Sequence, residues 1–523
     1  MKKLFSLFFL VLSLQLMGAL TWTTTPTTLS TLGVNASNPS IVMDSSGNLV
    51  AVWLEGTSMK ASTQPVNGSW TTPVTLVSSG ASNPGVVVDP SGNATAIWLA
   101  GGLVQAATLP FGGTWSSAST LSAALTTSVT PQIAVDPSGN VVAVWVTAGI
   151  VQSATKPFGG TWPLTPTALS VLPAADSPQV AVGPTGVIVA AWHAVSSVSS
   201  MDTIYAARGA VGGSWVSAQA ISNASQNSVQ PSVAVGPGGD AIVGWFTYDI
   251  SGSNYSNVIF QTASLDGSGF VWETPVNVSN PGIINPAKLV SVLQFDLVGN
   301  VAAVWTNSFD GSTYNLESAV LDLLENWSSP QDLAVDTYGY IIDISVTSNG
   351  GAYATFMASS GSDVTIQTSE SQVGGAIQQD WINTTMISTA SGNINPTNTA
   401  ASTSSNDYAA VIWIAYNGAN TVVQVATGQG AKISPPSGLS VVQSSNNYGV
   451  FTEYYNTFSW SPSTDPLTIG YVVYRNGILL NQTDSMTFSL VDNNAVQNGS
   501  VVYGVASLRQ DGEQSGTATI NFP

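Results

Sequence analysis

Pro131-Gln-Ile-Ala-Val-Asp-Pro-Ser-Gly-Asn-Val-Val-Ala-Val-Trp145, followed at Trp162 by a second tryptophan, is the stretch that decides the fold. Asp136-Pro-Ser-Gly-Asn140 reads as a tight turn: Asp bonds the backbone ahead of it, Pro fixes φ, and Gly accepts φ > 0. Val141-Val-Ala-Val-Trp145 is apolar on both faces, which a strand needs only when it is covered on both sides.

The unit recurs. Its first tryptophan reappears at Trp53, Trp98, Trp145, Trp192, Trp245, Trp305 and Trp413, with Phe356 filling one gap, at spacings of 45 to 60 residues. A second series runs Trp70, Trp115, Trp162, Trp215, Trp272, Trp327 and Trp381, with an additional member at Trp22. Repeats of this length mean a solenoid, a propeller or an array. Each reads as four strands: Pro131 to Val135, Val141 to Trp145, Val151 to Thr155, and one from Trp162 after the Pro157-Phe-Gly-Gly160 turn. Four-stranded sheets stacked radially cover such apolar second strands, so the propeller is preferred to a flat solenoid. After Trp413 no fourth strand follows, whereas Trp22-Thr-Thr-Thr-Pro-Thr-Thr-Leu29 resembles Trp70-Thr-Thr-Pro-Val-Thr-Leu76. The N-terminal strand therefore completes the last blade, giving an all-β, eight-bladed β-propeller.

The bulk properties narrow the function. The chain has 523 residues, 9 Lys+Arg against 28 Asp+Glu, a formal net charge of -19, and no cysteine. So few cations cannot neutralise a phosphate backbone or an anionic membrane, which excludes nucleic acid as a partner. Without Cys there is no disulfide, thiol nucleophile or Cys-based zinc site. Lys2-Lys3 before the apolar run Leu4 to Leu20 read as a signal peptide over 1–19, with Met17-Gly18-Ala19 an imperfect cleavage site and an uncleaved anchor the alternative. No later stretch is long enough to span a bilayer. The expected location is secreted, periplasmic or cell-surface. The domain boundaries read 20–427 for the propeller, 428–434 for a linker and 435–523 for a second domain.

The Pro-x-Val-Ala-Val-Asp-x-x-Gly-Asn-x-x-Ala-Val-Trp pattern resembles secreted bacterial β-propeller repeats of the sialidase-like and NHL-like kind, over roughly residues 21 to 430. Sialidases, by that resemblance, hold a substrate carboxylate with three arginines and use a Tyr-Glu pair and an Asp. Residues 20–427 contain one arginine, Arg208, and no Ser-x-Asp-x-Gly-x-Thr-Trp box, so no sialidase site is carried over. Past Pro435-Pro436, Phe458-Ser-Trp460, Tyr471-Val-Val-Tyr-Arg-Asn-Gly477 and Val501-Val-Tyr-Gly-Val505 give about seven short strands. The pattern is that of an immunoglobulin-like sandwich and resembles a fibronectin type III domain, with Tyr471 and Tyr503 in its core or corner.

Propeller topology puts the repetitive turns on one face and the connections of variable length on the other, where recognition belongs. On the variable face Tyr248-Asp249 with Tyr255, and Phe309-Asp310 with Tyr314, set aromatics beside carboxylates suited to a sugar ring or a peptide. Asp202 joins them as a ligand-binding candidate. The same loops also read as the tips of extended hairpins with aromatics paired across strands. His193, the only histidine, reads as a residue at the start of a variable loop. Asp44, Asp89 and Asp136 read as turn residues, no loop has calcium-ligand spacing, and no metal, cofactor or catalytic residue is assigned. The expectation is a non-enzymatic binding or adhesion protein recognising a protein or glycan. The alternative is a carbohydrate-active enzyme, a glycoside hydrolase or lyase, on the same face.

Overall fold

The computed structural model describes residues 21–522 without 123–130, 172–173, 252–253, 266–270, 285–288, 297–298, 309, 311–312, 323–325, 347–351, 361–362, 374–376, 389–393, 404–407, 430–434, 464–467, 477, 496–500, 510–514 and 516. The expected leader over 1–19 lies outside the described residues. These contain strands and no helix, and the chain divides into units of residues 19–429 and 430–523.

In the 19–429 unit the opening stretch folds as Gln132–Val135, Val141–Thr147, Ile150–Lys156 and Thr167–Ala168, hydrogen-bonded antiparallel in that order. The fourth strand starts five residues after Trp162, not at it. In other repeats the residue following the second-series tryptophan is instead held singly: the Thr71, Ser116 and Val216 amides donate to Thr63, Thr108 and Arg208 carbonyls at 2.8, 2.9 and 2.7 Å.

The same four-strand order repeats along the unit. In the seven-stranded sheet from Ser291–Phe295 to Ile377–Met386, the strand Gln331–Val346 belongs to two successive groups. Its start pairs with Tyr314–Leu321 and its end with Ala352–Ser360. Each first strand packs on the first strand of the next group, and the last, Ile394–Thr403, packs on the first, Ala36–Met43. First strands are thus innermost and second strands are covered on both faces, the arrangement of a β-propeller. Leu49–Glu55 and Val141–Thr147 are buried throughout. Truncating any of the fully buried tryptophans 53, 98, 145, 245, 305 or 413 costs about 3–5 kcal/mol.

The partner directly across from each core aromatic is polar. The pairs are Trp53↔Lys60, Trp98↔Gln105, Trp145↔Gln152, Trp192↔Tyr205, Trp245↔Gln261, Trp305↔Glu317, Phe356↔Gln367 and Trp413↔Gln424. Such a partner can take the indole N–H, as Gln105 does at 3.2 Å and Glu317 at 3.0 Å.

The N-terminal strands Thr21–Trp22 and Thr27–Thr28 pair antiparallel with Thr421–Gln429. That strand runs two residues into the stretch read as a linker. In the 430–523 unit, Ser437–Asn447, Thr452–Ser461 and Ser489–Ala495 form one sheet, and Ile478–Asp484, Thr468–Arg475, Val501–Arg509 and Ala518–Phe522 another. Phe458 and Trp460 of the first share a core with Tyr471 and Tyr503 of the second.

Candidate functional site

The repeated aspartates belong to the scaffold. Asp136 Oδ1 accepts the Ser138 and Asn140 amides at 2.9 and 2.8 Å, and its Oδ2 accepts Asn140 Nδ2 at 2.7 Å. Asp44 and Asp89 repeat this set. Asp296, which sequence reading missed although Asn300 follows a glycine there, accepts the amide and side chain of Asn300. The asparagine then ties the turn to the outer hairpin: Asn140 Oδ1 accepts the Phe158 amide at 3.0 Å, and Asn93 Oδ1 that of Phe111. A central opening of about 380 Å³ lies between these turns, and both oxygens of each of its carboxylates already accept hydrogen bonds within their own turns. Among the described residues no group of three or more acidic or histidine side chains can hold a metal ion.

On the variable face the first strands carry a device of their own. Asn38, Asn83, Ser177 and Gln230, each followed by proline, have φ of 50°, 50°, 49° and 55°. The strand register shifts at each of them. A bulge at this point re-aims the residues before it. In the fourth repeat the residue before the bulge is Asp176, directly opposite His193 on Val187–Val195, with Ile204 on the other side. His193 therefore sits inside a strand paired on both edges, not at a loop start.

Around it lies the site. Asp202 opens the third strand of the same sheet, Asp202–Ala210. Tyr248, on the next sheet, donates its hydroxyl to Asp202 Oδ2 at 3.0 Å. The Asp202 amide donates to Asn227 Oδ1 at 3.2 Å, and Asn227 pairs with Tyr248 across strands. Asp176 is exposed, Asp202, His193 and Asn227 are half-buried, and Tyr248 is buried. Trp192 stacks on Tyr205 behind the histidine, centroids 6.4 Å apart. His193 Nδ1 is shut off from solvent with no hydrogen-bond partner. Burial pushes the imidazole below its ordinary 6.5, while Asp176 and Asp202 pull it up less strongly. The result is a neutral imidazole between two carboxylates, beside a tyrosine hydroxyl held by one of them.

Of the residues expected from sequence, the fold thus brings Asp202 and Tyr248 together. Asp249 is exposed and accepts Asn257 Nδ2 at 2.8 Å. Asp310 is turned into its own loop, accepting the Thr313 amide and hydroxyl at 2.7 and 3.0 Å. Tyr314 packs on the core around Trp305. Phe309 and the Tyr255 side chain lie outside the described residues. Asp176 and Asn227 were not anticipated. Their only sequence signal is the proline of the first strand, Pro178 two residues after Asp176 and Pro231 four after Asn227.

No protein-family model and no curated protein matches the chain. Solved structures resemble it at low identity. The polysaccharide lyase Uly1 is 7% identical, with a TM-score of 0.44 over 75% of this chain and 89% of its own. The Penicillium chrysogenum α-L-arabinanase complexed with arabinobiose is 10% identical, TM-score 0.35, over 66% and 98%. The Hadza microbial sialidase Hz136 is 10% identical, TM-score 0.34, over 71% and 73%.

The β-propeller reading of the 19–429 unit rests on its own strand order and packing. The three solved structures bear the names of a polysaccharide lyase, an arabinanase and a sialidase; the expectation of a non-enzymatic adhesion protein is corrected to its alternative, which is taken up as a proposal below. The placement of His193 is corrected as well, from the start of a loop to a strand paired on both edges. No helix among the described residues is long and apolar enough to cross a membrane.

Proposed function

We propose that the protein is a glycoside hydrolase acting on an uncharged glycan, with its centre at His193, Asp176, Asp202 and Tyr248. The observation that carries this reading is the neutral, half-buried imidazole whose Nδ1 has no partner, set between two carboxylates on the variable face. A neutral histidine takes a proton from water near neutral pH. The two carboxylates favour the positive charge that develops on the sugar during cleavage, and Tyr248 fixes the orientation of Asp202. Elimination from an acidic sugar would need a cation to bind its carboxylate. The groups acting electrostatically on His193 are both acidic, and the chain carries a net charge of -19.

The scaffold in this reading is an eight-bladed propeller closed by the N-terminal strand, followed by a fibronectin type III-like domain at 435–523. Eight aromatic–polar cross-strand pairs and the pairing of Thr21–Trp22 with Gln429 and Gly428 support the propeller. The two sheets sharing Trp460, Tyr471 and Tyr503 support the domain. A secreted or surface location is part of the proposal, supported by the apolar run after Lys2-Lys3.

The test is turnover of neutral polysaccharides and fluorogenic glycosides by the full chain, scored as new reducing ends. His193→Gln is expected to lower the rate by about 10²–10⁴-fold without loss of secondary structure. Unsaturated products in place of reducing ends would replace hydrolysis by elimination. Turnover indifferent to His193→Gln and to Asp202→Asn would overturn the site.

A further inference from the structure

The repetitive face holds a second feature that the catalytic reading does not use. Between the first and second sheets lies a cleft of about 590 Å³, bounded by Thr63, Gln64, Phe111 and Trp115, a size suited to a small ligand. Phe111 is 65% exposed. Its ring lies on Gly92, where an added Cβ would come within 2.6 Å of it. One ring face is thus fixed by the turn while the rest of the ring meets solvent.

The fold does not require that ring. In the first repeat Val66 occupies the same place, its amide held by Asn48 Oδ1 at 2.9 Å as the Phe111 amide is held by Asn93 Oδ1 at 3.0 Å. Val211 lies likewise beside Gly186. A valine therefore serves the turn, and the larger side chain at 111 is exposed apolar surface beyond what the turn needs.

The cleft's polar groups fit a neutral, hydroxyl-rich ligand. Thr72, Thr75 and Thr114 line it beside Gln64, whose Nε2 donates to the Gly68 carbonyl at 2.9 Å and whose Oε1 is enclosed by protein. No lysine, arginine or glutamate lines the cleft, and both oxygens of its one carboxylate, Asp44, are taken by its own turn. An acidic polymer would find no cation there and a chain of net charge -19 around it.

We infer that this cleft is a second, non-catalytic glycan-binding subsite, in which an uncharged sugar stacks on Phe111 and meets the threonine-lined wall beside Gln64. It stands independently of the site at His193, on the opposite face. It holds polymer without cleaving it.

The experiment uses the full chain carrying His193→Gln, so that retention is read without turnover, in affinity gels containing arabinan, xylan, mannan or starch, with alginate as the acidic control. Retention by at least one neutral polymer and not by alginate is expected, falling about three- to tenfold in Phe111→Val. Phe111→Val keeps the side chain that the first repeat already uses, and an unchanged melting temperature verifies its fold. The same substitution in the otherwise natural chain is expected to leave cleavage of a small fluorogenic glycoside unchanged. Retention that Phe111→Val does not alter, equal retention by alginate, or no retention by any neutral polymer would each overturn the inference, whatever the outcome at His193.

Discussion

Tyr248 donates its hydroxyl to Asp202 Oδ2 at 3.0 Å, and the two residues come from neighbouring sheets. The bond therefore fixes a carboxylate of one blade from the next. Tyr248→Phe keeps the buried ring and removes only the donor. Loss of a hydrogen bond to a charged group costs about 1.5–3 kcal/mol, and a misplaced catalytic group costs about 10²-fold in rate. The expected outcome is a lowered kcat on a neutral glycan with KM less affected, and a modest fall in Tm. A fall in Tm with kcat intact would make the bond structural only.

The acid limb of the rate profile is expected below pH 6.5, because burial holds His193 under its ordinary value against Asp176 and Asp202. A depressed histidine binds fewer protons in the folded chain than in the unfolded one. Stability is thus gained as pH rises through the window up to 6.5 and lost as pH falls back through it. Asp202→Asn removes one of the two opposing carboxylates and is expected to lower the midpoint further. With one histidine in the chain, a single imidazole resonance followed by NMR gives the value directly. A midpoint at or above 6.5 contradicts the burial reported for the ring.

The scaffold was legible in the sequence because its rules are local. Asp136 through Trp145 names a turn and a buried strand, and the two tryptophan series fix the repeat. The site was less legible because cross-strand neighbours in one repeat and a tyrosine from the next make it. Nothing in the order of residues places Asp176 opposite His193. That pairing follows from a bulge before Pro178, which shifts the register between Asp176 and Gln179. The Asp310 loop misled for the opposite reason. Its carboxylate and Thr313 look like a recognition pair but satisfy each other locally, as short polar side chains in turns do.

Trp22 covers Gly428 as Trp215 covers Gly209: an added Cβ would lie 2.9 Å from the first ring and 2.8 Å from the second. The N-terminal tryptophan thus plays the part of a second-series tryptophan in the sheet it joins. Gly428→Val is expected to destabilise residues 19–429 by about 1–3 kcal/mol through overpacking. Trp22→Ala in the same chain should relieve part of that cost, a non-additivity that calorimetry of the four variants measures. Deleting residues 21–30 should destabilise more, since the Leu29 amide bond to Val423 and the Ser30 hydroxyl bond to the Val423 amide go as well. Additive single costs, or unchanged Tm on deletion, would separate the N-terminal strand from that sheet.

Tyr503 in the 430–523 unit offers a test at the other end of the pH scale. It is fully buried, donates to Asp492 Oδ2 at 2.6 Å and accepts from Asn456 Nδ2 at 3.1 Å. Arg475 Nε lies 3.3 Å from the same carboxylate oxygen. Burial first, and then the bond to Asp492, push the phenol from 10.0 up to about 12. The folded chain keeps a proton that the unfolded chain releases. This contribution is complete below pH 10 and lost as pH rises through about 12. Tyr503→Phe removes the donor and leaves Asp492 buried with Arg475, so it is expected to cost about 1.5–3 kcal/mol at neutral pH. The same variant should flatten the alkaline decline of this unit's melting temperature and delete the last step of the tyrosinate absorbance titration. A decline and a last step unchanged in Tyr503→Phe would assign both to another tyrosine.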